Sequence, residues 1–256
     1  KTAIWRGCEV AIGNLDDPPV ADRLARAPGR RVGFTLGEPA PGQLGRSGRM
    51  LVDRAFGGAA AVPLVEAAAV RPPGAHNLAN ALAAAALARA YGVPPEAVRA
   101  GLAGYQPQPH RNARVAEVAG VTYVDDSKAT NPHAALASLS AYPRVVWVAG
   151  GQLKGVAVGE LVRAVADRLA GAVLLGVDRA ELARQLARHA PRVPVVEVAS
   201  TDDGAMAEVV RIATALAAPG DTVLLAPAAA SRDMFTSYQH RGDAFAAAVL
   251  TLGDRR

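Results

Sequence analysis

The 256-residue chain carries 51% apolar and 20% charged residues with a net charge of +5, enough to bury the cores of two modest domains. Its single cysteine, Cys8, excludes an internal disulfide and fits a reducing cytosol, and no apolar stretch approaches the ~20 residues of a membrane span. Aromatics at 4%, with arginines scattered along helical segments, argue against a nucleic-acid surface, so the positive charge reads as a solvated face or as attraction for small anions. Residues 8–14 read as a buried strand, Asp16-Asp17-Pro18 as the start of a short helix to about Ala27, 31–36 as a second strand, and 43–56 as a hairpin turning near Ser47-Gly48. An Ala- and Leu-rich helix covers 74–91 with His76, Asn77 and Asn80 at its front, and Pro94-Pro95-Glu96 opens another that ends near Gly104.

Gln106-Pro107-Gln108-Pro109-His110 is stiff, polar and proline-spaced, and it divides a domain of residues 1–108 from one of residues 109–256. Beyond it, 114–118 and 121–125 form a hairpin around Ala119-Gly120. The remainder alternates: strand 144–149, helix 156–169, strand 172–176, helix 179–189, strand 194–198, helix 202–217, strand 221–226, and a helix from about 233 to 250. Such alternation predicts an α/β fold with a mostly parallel sheet covered on both faces. The N-terminus has Arg6 and Glu9 inside its short apolar run and lacks the pattern of a signal peptide, so a cytoplasmic protein without membrane insertion is expected. The chain starts without Met and drops straight into strand-like sequence, which leads us to expect a piece of a longer protein.

The chemistry concentrates where strands empty into loops, because in such a sheet the carboxyl ends of strands and the N-termini of following helices face ligands. In the first such loop Asp126, Lys128 and Thr130 alternate along extended chain, so one ligand can meet all three. Helix capping by Asp125, Asn131 and Pro132 explains only the flanking residues. A second loop, 149–155, offers Gly150-Gly151 for close backbone approach to an anion and Lys154 as a point charge. A third, Gly176-Val177-Asp178-Arg179, reads as an ordinary helix cap, and a fourth, 226–235, ends a small-residue run in Ser231, either a carboxylate ligand or an N-cap. Asn77 and Asn80 share a helix face suited to a base or ribose, and Arg111 can reach a phosphate. Of 28 basic residues only Lys1, Lys128 and Lys154 are lysine, so each invites a chemical role.

These motifs, Gly74-Ala75-His76-Asn77-Leu78-Ala79-Asn80, Pro109-His110-Arg111, Asp126-Ser127-Lys128-Ala129-Thr130-Asn131, Gly150-Gly151 with Lys154, and Pro227 to Ser231 with Asp233, Phe235 and Arg241-Gly242, run through nearly the whole chain. In that order they resemble the Mur ligases of peptidoglycan synthesis, most closely the branch that adds D-glutamate. The resemblance implies the remainder of a P-loop-type central ATP-binding domain followed by a Rossmann-like C-terminal domain, with Pro107 to Arg111 as the hinge. It implies ATP and Mg2+ as cofactors, UDP-N-acetylmuramoyl-L-alanine and D-glutamate as substrates, no nucleic-acid partner, and a monomer. By motif, Asn80, Arg111, Asp126 and Lys128 contact ATP or its phosphates, and Lys128 and Lys1 are the catalytic residues. Thr130, Lys154, Ser231 and the backbone near Tyr238 hold the carboxylates of D-glutamate, and Lys1 aligns with a lysine that is carbamylated and helps bind Mg2+. The family's UDP-binding domain and its Gly-Thr-x-Gly-Lys-Thr loop are absent from these residues, so the chain alone is expected not to turn over. Gln152 stands where some members carry an acid, and Tyr238 at an aromatic position that varies. The alternatives are another Mur ligase or a folylpolyglutamate synthetase-like enzyme, or a non-catalytic nucleotide-binding module, which the lack of a Gly-x-Gly-x-x-Gly after the first strand of the second domain disfavours.

Overall fold

The structure, a computed structural model, describes residues 2–58, 60–200 and 204–253. Two compact units divide between Gln106 and Pro107. In the first, β1 (Val10–Asn14), α1 (Pro18–Ala25), β2 (Arg30–Phe34), β3 (Gln43–Ser47), β4 (Met50–Asp53) and β5 (Val62–Glu66) precede α2 (Ala75–Ala90) and α3 (Pro95–Ala103). The sheet runs β1-β2-β3-β4-β5, parallel through β3 and antiparallel from there. Sequence reading missed β5, because Pro63 and the alanines before it look like loop; as the last strand of its sheet, β5 tolerates a residue without an N–H. Arg89 of α2 reaches fully buried Asp53 at 2.9 Å, and the other Asp53 oxygen accepts the Ala55 and Phe56 N–H groups, which turns the chain after β4.

The second unit contains β6 (Ala113–Val118), β7 (Val121–Asp125), α4 (Pro132–Leu139), β8 (Val145–Gly150), α5 (Gly159–Val165), β9 (Leu169–Leu175), α6 (Arg179–His189), β10 (Val195–Glu197), α7 (Ala205–Leu216), β11 (Thr222–Leu225) and α8 (Tyr238–Gly253). Its sheet has the order β10-β9-β8-β11-β7-β6, parallel except for the β6–β7 hairpin. This is the expected mixed α/β, Rossmann-like architecture. Both faces are covered, and alternate residues of β8 divide between them. Val145, Trp147 and Ala149 pack with α4, α5 and α6, whereas Val146 and Val148 pack with α7 and α8. No helix among the described residues is long and apolar enough to cross a membrane.

Two expected boundaries moved. The helix expected over 156–169 stops at Val165, and β9 begins at Leu169 rather than 172, because Leu169 and Gly171 pair with Val145 and Val146. The last helix begins at Tyr238 rather than near 233: the preceding residues turn, with the Ser231 carbonyl accepting from Met234 and Phe235. At the first boundary Ala- and Leu-rich composition suits helix and pairing with β8 decides otherwise; at the second a local turn at Ser231 delays the helix.

Because β7, β8 and β11 are parallel neighbours in register, Asp125, Gly150 and Leu225 deliver their following loops to one edge of the sheet. Trp147, wholly buried, donates from Nε1 to the Ala226 carbonyl at 2.7 Å and so fixes the start of the loop after β11. Replacing Trp147 with Phe is expected to lower the unfolding free energy by about 1–3 kcal/mol, since that carbonyl loses its partner in an apolar surround. Urea unfolding of variant and parent measures it.

Candidate functional site

The loop after β7 has the alternation its sequence implies. Asp126, Lys128 and Thr130 are partly exposed, while Ser127 and Ala129 between them are buried. Asn131 then caps α4, its Oδ1 accepting the Ala134 N–H at 2.9 Å, and Pro132 opens the helix. Ser127 turns inward, donating from Oγ to the Tyr238 carbonyl at 2.7 Å. The Lys128 ammonium lies 4.1 Å from the centroid of the Tyr238 ring, a cation–π contact that holds the side chain without neutralising it.

The loop after β8 needs its two glycines. Both have φ near +125°, and an added Cβ would lie 1.9 Å from the Leu175 carbonyl oxygen at Gly150 and 2.1 Å from that of Ala230 at Gly151. Gln152 exchanges backbone hydrogen bonds with Ala230, at 2.8 and 2.9 Å, so this loop is zipped to the small-residue loop after β11. Ala228 N–H in turn donates to the Ala129 carbonyl, joining that loop to the first. Lys154 is exposed with φ +56°, and Ser231 is buried. Ser231 is not the N-cap of the last helix: Ser237 has that role, its Oγ accepting the His240 N–H at 3.1 Å. Asp178, expected as a plain cap of α6, makes no capping bond and instead accepts the Leu153 N–H at 2.7 Å from the Gly-Gly loop. Asp233 similarly accepts the Val177 N–H at 2.9 Å.

A single buried guanidinium joins the three loops. Arg241, 1% exposed, donates from Nε to Ser127 Oγ and from Nη2 to Ser127 O, and from Nη1 to the carbonyls of Gly150 and Ala229. Burial lowers its pKa to about 10, the charges of Asp233 and Asp125 working against that shift, so it stays charged at neutral pH. Beside it, His110 Nδ1 lies 2.6 Å from Asp125 Oδ2, while the other Asp125 oxygen accepts the Ser127 N–H. Gly242 admits this pair: an added Cβ would sit 2.1 Å from His110 Nδ1. Burial raises the Asp125 pKa, and the hydrogen bond from His110 opposes the rise.

Asp126 is held differently. Its Oδ1 accepts the Asn112 N–H at 3.1 Å, and its pKa rises to about 6 through burial and the neighbouring Asp125 charge, against the pull of Ser138, the Asn112 N–H and Arg111. Arg111 donates to Gln108 Oε1 at 3.1 Å. Asn80 lies in the first unit, exposed on α2, with Nδ2 3.5 Å from Asn77 Oδ1, and burial lowers the His76 pKa. Lys1 lies outside the described residues, and among the described residues no three His, Cys, Asp or Glu side chains are grouped to hold a metal ion.

The second unit therefore brings Asp126, Lys128, Thr130, Lys154 and Ser231 onto three mutually bonded loops at one sheet edge, with Tyr238 beneath Lys128. The sequence reading did not single out Arg241 as their tie. A signal for it exists: Arg241, Phe245 and Val249 recur at helical spacing on the buried face of α8, and an arginine in an apolar stripe must have interior acceptors.

Residues 110–229 match the family described as Mur ligase, glutamate ligase domain. A UDP-N-acetylmuramoylalanine--D-glutamate ligase of Thermobifida fusca is 57% identical over 98% of this chain and 56% of its own length. Its namesake in Streptomyces coelicolor is 56% identical over 99% of this chain and 55% of its own length. The chain thus spans about half the length of the curated relatives it matches. A crystal structure of MurF from Acinetobacter baumannii superposes with a TM-score of 0.67 at 20% identity, covering 98% of this chain and 54% of that one, a likeness of fold.

Two outcomes are expected. Arg241→Met should destabilise the second unit by on the order of 3 kcal/mol or more in urea unfolding, and Arg241→Lys should recover only part, since an ammonium lacks the fork. Asp126→Asn should stabilise the protein above pH 6. The native acid holds its proton to about pH 6 while the unfolded chain loses it near 3.8, so stability falls as pH rises through that window. The advantage of the variant in thermal unfolding should accordingly be near zero at pH 4 and reach on the order of 2 kcal/mol by pH 7.

Proposed function

The chain belongs to the Mur ligase family, and on that premise we propose that it serves the ATP-dependent joining of D-glutamate to UDP-N-acetylmuramoyl-L-alanine. The observation that carries the reading is identity of 56–57% over nearly the whole chain with ligases of that name. We assign residues 1–108 to the C-terminal part of the ATP-binding domain and 109–256 to the C-terminal domain.

A carboxylate resists attack by an amine until one oxygen becomes a good leaving group. ATP, when bound, supplies the phosphoryl group that makes it an acyl phosphate. The donor set of the second unit suits such a nucleotide: Asp126 presents a carboxyl acceptor for ribose hydroxyls and Arg111 a fork for phosphate, while Asn80 of the first unit is assigned to ATP by its motif alone. Lys128, held by the Tyr238 ring rather than by a carboxylate, offers its ammonium to the oxygens on which charge develops. The three-loop edge then receives the amino acid. Thr130 and Ser231 offer hydroxyls, Lys154 a compact cation, and the first turn of α8 at Tyr238 free N–H groups for the two carboxylates of D-glutamate. The Arg241 charge beneath these loops adds a favourable potential for a dianion. We extend the proposal to Mg2+ and a carbamylated Lys1 as family properties.

In full-length protein Lys154→Ala should raise KM for D-glutamate by about tenfold or more, roughly 1.4 kcal/mol of carboxylate binding, with KM for ATP changed far less. Unaltered affinity for D-glutamate would remove Lys154 from the pocket, and a preference for another amino acid across a panel would overturn the substrate assignment.

A further inference from the structure

We propose that Tyr142 and Asn112 form a positioning pair for the side chains that face the nucleotide, Asp126 and Arg111, a role that rests on the ligase reading above. Neither residue belongs to the recognised motifs. Asn112 follows Arg111, is 6% exposed, and adopts φ +53°; His110, on the other side of Arg111, has φ +61°. Arg111 is thus set between two left-handed residues, a conformation uncommon for non-glycine residues and best tolerated by types such as Asn and His, which a specific partner can then fix in place. The Tyr142 hydroxyl supplies a pin by donating to Asn112 Oδ1. With the side chain so held, the Asn112 backbone N–H points at Asp126 Oδ1, 3.1 Å away.

The pin is itself anchored. Tyr142 packs against the apolar core on the α4 side of the sheet, its backbone N–H donates to the Leu139 carbonyl, and its own carbonyl accepts Arg168 Nη1 at 3.0 Å. Burial, reinforced by the Asp126 charge, pushes the Tyr142 phenol above its ordinary range, so the hydroxyl stays a donor throughout neutral pH. A closed circuit results: the loop bearing Asp126 leads into α4, α4 leads to Tyr142, Tyr142 holds Asn112, and Asn112 holds Asp126. Any shift of α4 relative to the segment before β6 is thereby transmitted to both Arg111 and Asp126. The charged and titratable groups that face the Asp126 carboxyl are Asp125, Arg111 and Tyr142.

The test uses Tyr142→Phe, which removes one oxygen, and Asn112→Gly, which keeps the left-handed backbone accessible but deletes the acceptor. Both are made in full-length protein and checked for folding by thermal melting. The Asp126 carboxyl is titrated by 13C NMR, with Asp126→Asn to assign the resonance. In at least one folded variant the midpoint should rise by half a unit or more above that of the parent, because the Asn112 N–H no longer favours the ionised form. The same variant should show KM for ATP about three- to tenfold higher, with kcat and KM for D-glutamate within about twofold, an effect of roughly 1 kcal/mol confined to nucleotide binding. An unchanged midpoint in both folded variants overturns the pair. A shifted midpoint with unchanged KM for ATP upholds the coupling and overturns the nucleotide role of Asp126 on which its purpose rests.

Discussion

A guanidinium almost removed from water must place its N–H donors on protein acceptors, and Arg241 does so with four acceptors from three loops. Those loops follow β7, β8 and β11, and their own contacts include backbone bonds from Gly150 to Pro227, from Ala228 to Ala129 and between Gln152 and Ala230. Backbone bonds fix neighbouring strands of chain pairwise; a planar fork inserted beneath them fixes all three together. The second unit therefore presents a preformed edge, and several local oddities follow from it. Gly150 and Gly151 let the Leu175 and Ala230 carbonyls approach the chain beside the fork, and Gly242 lets the His110–Asp125 pair settle against α8.

The same arrangement separates charges that hold the site from charges that can meet a ligand. Asp125 and Arg241 are spent inside, one on His110 and the Ser127 N–H, the other on carbonyls and a hydroxyl. Asp126, Lys128 and Thr130 alternate with buried Ser127 and Ala129 and keep partial access to solvent. This is the division an anion-binding edge needs, because a buried cation raises the local potential while solvent-accessible ammonium groups make the contacts. Under the ligase reading proposed above, Asp126 and Lys128, assigned to the nucleotide, and Thr130, Lys154 and Ser231, assigned to the amino acid, lie on loops that one side chain holds in register.

Much of this was legible in the residues. Alternating strands and helices gave the doubly covered sheet, because a strand buried on both faces must be apolar at every position, as 145–149 are. The 126–130 alternation and the Gly150-Gly151 break were readable for the same local reason: side-chain direction in extended chain has period two, and only glycine accepts close carbonyls at positive φ. The scarcity of lysine directed attention to Lys128 and Lys154, whose loops are bonded together through Ala129, Ala228, Ala230 and Gln152.

Other features belonged to no local pattern. The end of α5 and the start of β9 were decided by pairing with β8, and the turning path of 231–237 by a bond to Val177 and bonds within its own turn. Asp178 reads as a cap in one dimension and bonds another loop in three. The Tyr142 to Asn112 bond spans 30 positions and the Arg241 to Ser127 bonds span 114, separations over which composition and periodicity carry no information. The sequence by itself determined which segments are strands or helices of strong period and which loops carry charge and hydroxyls. Only the tertiary structure decided which of those polar groups are consumed in holding the loops together, because that depends on which donors and acceptors lose water when distant segments meet.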